Sequence, residues 1–282
     1  MISATSFVFD GISSEDYDIM IYYIGDPGVV EDHLWETSID ETRINSRYDP
    51  HHFGMNINRA VTRQVTFGSK NYIEREDVER IADWLTSHNT YKWLEIDQDD
   101  MTEWRYKAII SNLQLVNVNG LPFAFICDVT LDSQFAYERP STSSFEIVGG
   151  KVKSPTGIIS DYATITNSSA YDGYIYPKMT IRLAPGTTHF SMENESDISR
   201  PFVINVPDDY VINDGGDQII FQVDNKNQII TTNCDNINIF DCFKDEAGNH
   251  YFFRLAKGDN KIVFTGDGMV VIECEFLRKV GM

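Results

Sequence analysis

Positive charge is scarce in this chain. Its 282 residues hold 23 Lys and Arg against 43 Asp and Glu, a formal net charge of −20. The first 140 residues carry 24 acidic and 11 basic side chains, net −13, and the remainder is net −7. A protein that grips a phosphate backbone needs clustered Lys and Arg, so this balance speaks against sequence-specific nucleic-acid binding. It suits a surface past which DNA moves without sticking. Cysteine is scarce too. Cys127, Cys234, Cys242 and Cys274 stand far apart, with no CxxC pair and no Cys/His spacing of a zinc site. Cys127 and Cys274 fall in apolar strand patterns, where a thiol behaves as a small buried hydrophobe. No run of about 18 apolar residues exists, which excludes a helical membrane span. The opening MISATSFVFDG has neither a basic start nor an apolar stretch of signal-peptide length, so secretion by that route is not expected. The glycosylation-like triplets Asn167-Ser168-Ser169 and Asn194-Glu195-Ser196 then read as chance matches. Also missing are GxSxG, HExxH and a Gly-rich phosphate loop after a strand. No catalytic residue, metal site or cofactor is therefore expected.

What is present is β-pattern with one helix. SFVFDGISSEDYDIMIYYI reads as strand, turn, strand, with Phe7 and Phe9, then Ile19, Ile21 and Tyr23, alternating with polar neighbours. VTRQVTFG (61–68) alternates as well. IEREDVERIADWLTSHN predicts a helix whose apolar face is Ile73, Val78, Ile81, Trp84 and Leu85, with acidic residues at its start and His88-Asn89 as its stop. YKWLEI, WRYKAIISNLQLVNV and PFAFICDVTL follow as strands joined at DQDD and NG. The first module is thus a β-rich α+β domain. From about residue 145 the pattern is purely β, including YFFRLAKGDNKIVFTG, with Asn/Asp/Gly turns at short intervals. That predicts an antiparallel β-sandwich needing no helix. Between the modules, residues 121–140 end in an aromatic, charged tail (Phe135, Tyr137, Glu138, Arg139). STSSFEIVGG then reads as a flexible Ser/Gly link.

Three groups of residues stand out without a catalytic pattern. Residues 26–60 lack either period over a length unusual for a loop in a compact domain, and read as an arm seeking a partner surface. Arg43, Arg47, Tyr48, His51, His52 and Arg59 are its candidate interface residues. The adjacent histidines point to opposite faces of an extended backbone, which disfavours a metal site. Asp97, Asp99 and Asp100 lack the Gly and terminal Glu of a calcium loop and read as a solvated turn. All four tryptophans (Trp35, Trp84, Trp93, Trp104) lie in the first module. In the second, Tyr171, Tyr174 and Tyr176 are the candidate faces for stacking on a saccharide.

The order FVFDGISSEDYDI, ERIADWL, YKWLEI, FAFICDVTLDSQFAYERP, then YPKMTI, VDNKNQIITTN, FFRLAKGDNKIVFTG and IECEF resembles the distal tail protein (Dit) family of long-tailed bacteriophages. The resemblance implies a ring-forming domain over residues 1–140 and a galectin-like β-sandwich over 141–282. It implies a non-enzymatic virion protein at the distal end of the tail, made in the host cytoplasm and forming a homohexameric hub ring through which DNA leaves. The implied neighbours are the tail tube protein, a tail-tip fibre or tail-lysin protein, and the tape-measure protein, with no membrane insertion. In that setting Phe135, Tyr137 and Arg139 become packing at the domain junction. The alternative role is a host-surface saccharide-binding adhesion module.

Overall fold

The structure is a computed structural model that describes residues 6–24, 37–42, 48–57, 61–99, 101–197, 200–207, 218–234 and 237–279. Two compact units make up the chain. The first comprises Met1–Arg139 together with Arg278–Met282, the second Pro140–Leu277. The C-terminal residues, expected in the second module, thus belong to the first unit, where the Arg278 guanidinium donates to the Glu138 carboxylate.

The first unit contains β1 (Ser6–Phe9), β2 (Ile12–Ser13), β3 (Met20–Ile24), β4 (Thr37–Thr42), β5 (His51–Ile57), β6 (Val61–Gly68), α1 (Arg75–Thr86), β7 (Lys92–Asp97), β8 (Trp104–Val118), β9 (Leu121–Leu131) and β10 (Ala136–Glu138). An antiparallel sheet runs in the order β2-β1-β7-β8-β9-β6-β3, and β10 continues beside β8 past the end of β9. Alternation decides which face is dry. Phe7, Phe9, Val65, Phe67, Leu94, Ile96, Tyr106, Ala108, Phe125, Cys127 and Val129 point to one side and share a core with α1.

Helix α1 presents Ile81, Trp84 and Leu85 to that core. The Trp84 ring stacks on Phe7 at 5.7 Å and on Tyr17 at 5.0 Å, and its Nε1–H donates to the Phe9 carbonyl at 3.0 Å. Ile73, predicted on the helix face, is buried two residues before the helix begins. Its N–H bonds the Pro122 carbonyl, which holds it in extended chain. At the other end the β8–β9 hairpin turns through Asn119 and Gly120, both at positive φ, as a tight hairpin with inward strand twist requires. A Cβ at Gly68 would lie 2.3 Å from the Tyr22 ring, so a side chain there would displace that ring.

The second unit contains β11 (Ser141–Val148), β12 (Lys151–Lys153), β13 (Ile159–Ser160), β14 (Ala163–Asn167), β15 (Lys178–Leu183), β16 (His189–Asn194), β17 (Phe202–Asn205), β18 (Ile220–Asp224), β19 (Ile229–Thr232), the short α2 (Ile239–Cys242), β20 (Gly258–Thr265) and β21 (Gly268–Cys274). Sheets β13-β12-β11-β21-β15-β18-β19 and β14-β20-β16-β17 enclose one core that includes Met179, Ile181, Phe190, Met192, Phe221 and Ile262. This is a β-sandwich, as expected. Two expectations fail. The Ser/Gly link is instead strand β11, paired with β21 from Ser141↔Cys274 to Ile147↔Gly268, with Ile147 buried. The run Tyr251–Lys257, read as strand, is irregular apart from a bridge between Ile175 and Leu255.

Asparagine side chains account for that irregular run. Asn260 is fully buried. Its Oδ1 accepts from the Ala256 N–H and from Asn194 Nδ2, both at 2.8 Å, while its own amide donates to the carbonyls of Ala256, Gly258 and Ile165. Asn194 also donates to the Arg254 carbonyl, Asn167 to that of Leu255, and Asn225 accepts from the Phe253 N–H. Buried backbone polar groups that lack a sheet ladder must find other partners. Here four buried amides supply them. Asn167 and Asn194 are therefore core residues, closed to glycosylation.

All four cysteines are free thiols. Burial pushes the Cys127 and Cys274 thiols up to about 12, helped by the neighbouring Asp128 and Glu273. At pH 8 the half-buried Cys234 is expected to be alkylated by iodoacetamide in the folded chain, with Cys127 and Cys274 reacting only after unfolding. Peptide mass mapping checks this, and equal labelling of Cys127 and Cys234 under native conditions would contradict it.

Candidate functional site

The described part of residues 26–60 is not structureless. β4 and β5 form a two-stranded antiparallel sheet, from Thr37↔Ile57 to Thr42↔His51, with a bulge between Asp40 and Glu41. Phe53 is the extra residue of that bulge and, like Ile39, is 62% exposed. Tyr48, on the connection between the strands, is fully exposed. Among the described residues this hairpin joins no larger sheet. A lone two-stranded hairpin is marginal in water, and its exposed apolar side chains gain stability only when covered. His51 and His52 open β5, opposite Thr42 and Glu41. Arg43, Arg47 and Arg59 lie outside the described residues.

Phe135, Tyr137 and Arg139 all contact the first unit. The Phe135 N–H bonds Ser133 Oγ. The Tyr137 hydroxyl donates to Asp132 Oδ2 at 2.6 Å, and its ring meets Trp93 edge-on at 5.4 Å. Arg105 and Lys107 lie over Trp93 at 3.8 and 4.6 Å, and Arg139 pairs with Glu95. This cluster occupies the sheet face opposite α1. Cross-strand register explains it, since Trp93↔Lys107 and Tyr137↔Arg105 are partners. Farther along the sheet, a polar recess of about 320 Å³ is lined by Gln64, Asn112, Gln114 and Asp128, where Asn112 at positive φ bulges β8.

In the second unit the three tyrosines are about 40% exposed, and each has company. The Tyr171 ring sits against Gly173, where a Cβ would lie 2.2 Å from it. Tyr174 carries the Arg254 guanidinium 3.7 Å above its ring. Its hydroxyl reaches Asp197 at 3.4 Å. Arg254 in turn grips Asp197 bidentately at 2.6 and 2.9 Å. Asp197, Arg200 and Arg254 escaped the sequence reading, because nothing local marks them and only the fold brings Arg254 to the other two.

The Arg254 hydrogen bonds hold the Asp197 carboxyl below its usual range, against the opposing effect of burial. A depressed folded-state pKa contributes stability above the unfolded value, and the contribution is lost as pH falls through the folded one. Asp197→Asn is therefore expected to flatten the acid limb of the stability profile below pH about 4. Urea midpoints measured from pH 2 to 7 check this, and parallel profiles for the two proteins would contradict it.

Among the described residues no group of three His, Cys, Asp or Glu is placed to hold a metal ion. Among the described residues no helix is long and apolar enough to cross a membrane. No curated protein sequence matches the chain. Residues 2–133 match the family model described as the phage tail protein N-terminal domain. Among solved structures, the chain is similar to the Dit protein of phage SPP1, described as a paradigm of the hub adsorption apparatus in phages infecting Gram-positive bacteria. The identity is 11% and the TM-score 0.65, over 98% of this chain and 100% of that one. It is also similar to a chain of the phage P2 baseplate in its activated conformation with calcium, at 10% identity and TM-score 0.55 over 99% of each chain. The strontium form of that baseplate gives 11% and 0.54 over 98% of each. Residues 2–133 thus match the phage tail protein N-terminal domain model, and the chain as a whole shares the fold of the SPP1 Dit protein.

Proposed function

We propose that this protein is a structural, non-enzymatic subunit of the distal end of a bacteriophage tail, closing with copies of itself into a hexameric hub ring. The observation that carries the reading is the end-to-end correspondence with the SPP1 Dit fold, which takes in both units. The β4–β5 hairpin supports it, since a strand pair that joins no larger sheet among the described residues and leaves Ile39 exposed is the kind of arm a neighbouring subunit covers. In this reading residues 1–139, with 278–282, build the ring, and 140–277 form an outward, galectin-like sandwich. The tail tube and tape-measure proteins meet the ring on one side, and a tip fibre or tail-lysin protein on the other. The acidic first module lets DNA pass without adhering.

Native mass spectrometry of the purified chain is expected to show a hexamer, and negative-stain images a ring with a central channel. Ile39→Asp combined with Phe53→Asp should shift the population to monomers without altering the far-ultraviolet spectrum. A wild-type protein that stays monomeric at tens of micromolar, alone and with its tail-tube partner, would overturn the ring.

A further inference from the structure

We propose that Arg200 and Arg254, with Tyr174, Tyr176 and Tyr251, form a binding site for an anionic group, phosphate or carboxylate, carried on a saccharide. The inference starts from an imbalance of charge. Both guanidiniums approach the same carboxylate oxygen, Asp197 Oδ2: Arg254 Nε at 2.6 Å and Arg200 Nε at 3.9 Å. Arg254 spends its fork on Asp197, whereas the Arg200 Nε, shielded from solvent, has no hydrogen-bond partner among the described residues. One carboxylate thus serves two cations. The nearby Asp172 and Glu195 do not redress this, because Lys257 and Lys261 engage them. Among the described residues the result is a local surplus of positive charge, on a chain of net −20, with the Arg200 side chain 38% exposed.

The surroundings narrow the ligand class. Arg254 lies over the Tyr174 ring and Arg200 over the Tyr251 ring, at 3.7 and 4.7 Å. Stacking fixes the plane of each guanidinium; the Arg254 fork is held by Asp197, so the exposed part of Arg200 is what remains for a planar or tetrahedral anion. With one face of Tyr174 taken by Arg254, the exposed tyrosine surface beside the pair suits the C–H face of a sugar ring. A bare ion would have no use for it.

The test titrates the full-length chain with phosphorylated dextran, alginate, plain dextran and inorganic phosphate by calorimetry. Binding to one or both charged polymers, weakened by salt, with plain dextran silent, is the expected result, and the preferred polymer tells phosphate from carboxylate. Arg200→Ala should weaken that binding by roughly tenfold or more, the loss of charge-assisted hydrogen bonds. Arg200→Lys should weaken it less, and both variants should melt with the wild type. No binding to either charged polymer, or undiminished binding by Arg200→Ala, overturns the proposal. Inorganic phosphate binding as tightly as the polymers overturns its saccharide part. Ring formation by Arg200→Ala is scored separately, so failure here leaves the assembly reading untouched.

Discussion

Asn260→Asp is expected to unfold or severely destabilise the second unit, although it exchanges one amide nitrogen for oxygen. The Asn260 amide faces the carbonyls of Ala256, Gly258 and Ile165, and a carboxylate would set oxygen against oxygen at all three. It would also be a charge in a fully buried position. Asn260→Ala avoids the repulsion but strands several backbone and side-chain groups. At about 1–3 kcal/mol for each buried group left unsatisfied, partly relieved by relaxation, a loss of about 3–5 kcal/mol follows. Chemical denaturation of both variants, followed by near-ultraviolet signals, measures this. A loss below about 1 kcal/mol for either would show that the Tyr251–Lys257 run holds its shape by other means.

Trp84→Ala is expected to have the largest effect in the first unit, about 3–5 kcal/mol. The ring bridges α1 to the sheet by stacking on Phe7 and Tyr17, and it is almost wholly buried. Trp84→Phe separates packing from hydrogen bonding. It keeps an aromatic ring and leaves the Phe9 carbonyl without its indole donor, at a cost of about 1–3 kcal/mol including the smaller volume. If Trp84→Phe costs as much as Trp84→Ala, the hydrogen bond dominates, and the packing account of this helix fails.

The sequence reading succeeds where a short-range period reports burial. Ile81, Trp84 and Leu85 identify α1, and the alternation from Trp104 to Val118 marks all of β8. It fails where composition and geometry part company. Ser141–Ser144 look like a linker, yet they take up strand pairing because Phe145 and Ile147 continue the alternation into β21. Tyr251–Lys257 looks like strand, yet its backbone is met by asparagines more remote in sequence than any local window. Within residues 26–60 the strand β4 holds one apolar residue, Ile39, and so shows no period, while the alternation of Phe53, Met55 and Ile57 in β5 is short and went unread. The tyrosines of the candidate anion site were visible as residue types. Asp197, Arg200 and Arg254 were not, since ordinary surface charges acquire meaning only by meeting.

The return of Arg278 to the first unit bears on the order in which the protein is made. A ribosome releases Pro140–Leu277 as one unbroken stretch before it reaches the partner of Glu138. The later-synthesised unit can therefore finish folding while the earlier one still waits for its last piece, reversing the usual N-to-C sequence of domain completion. Until Arg278 is made the first unit lacks that closing contact. A chain that stops short of Arg278 leaves the Glu138 carboxylate without that guanidinium.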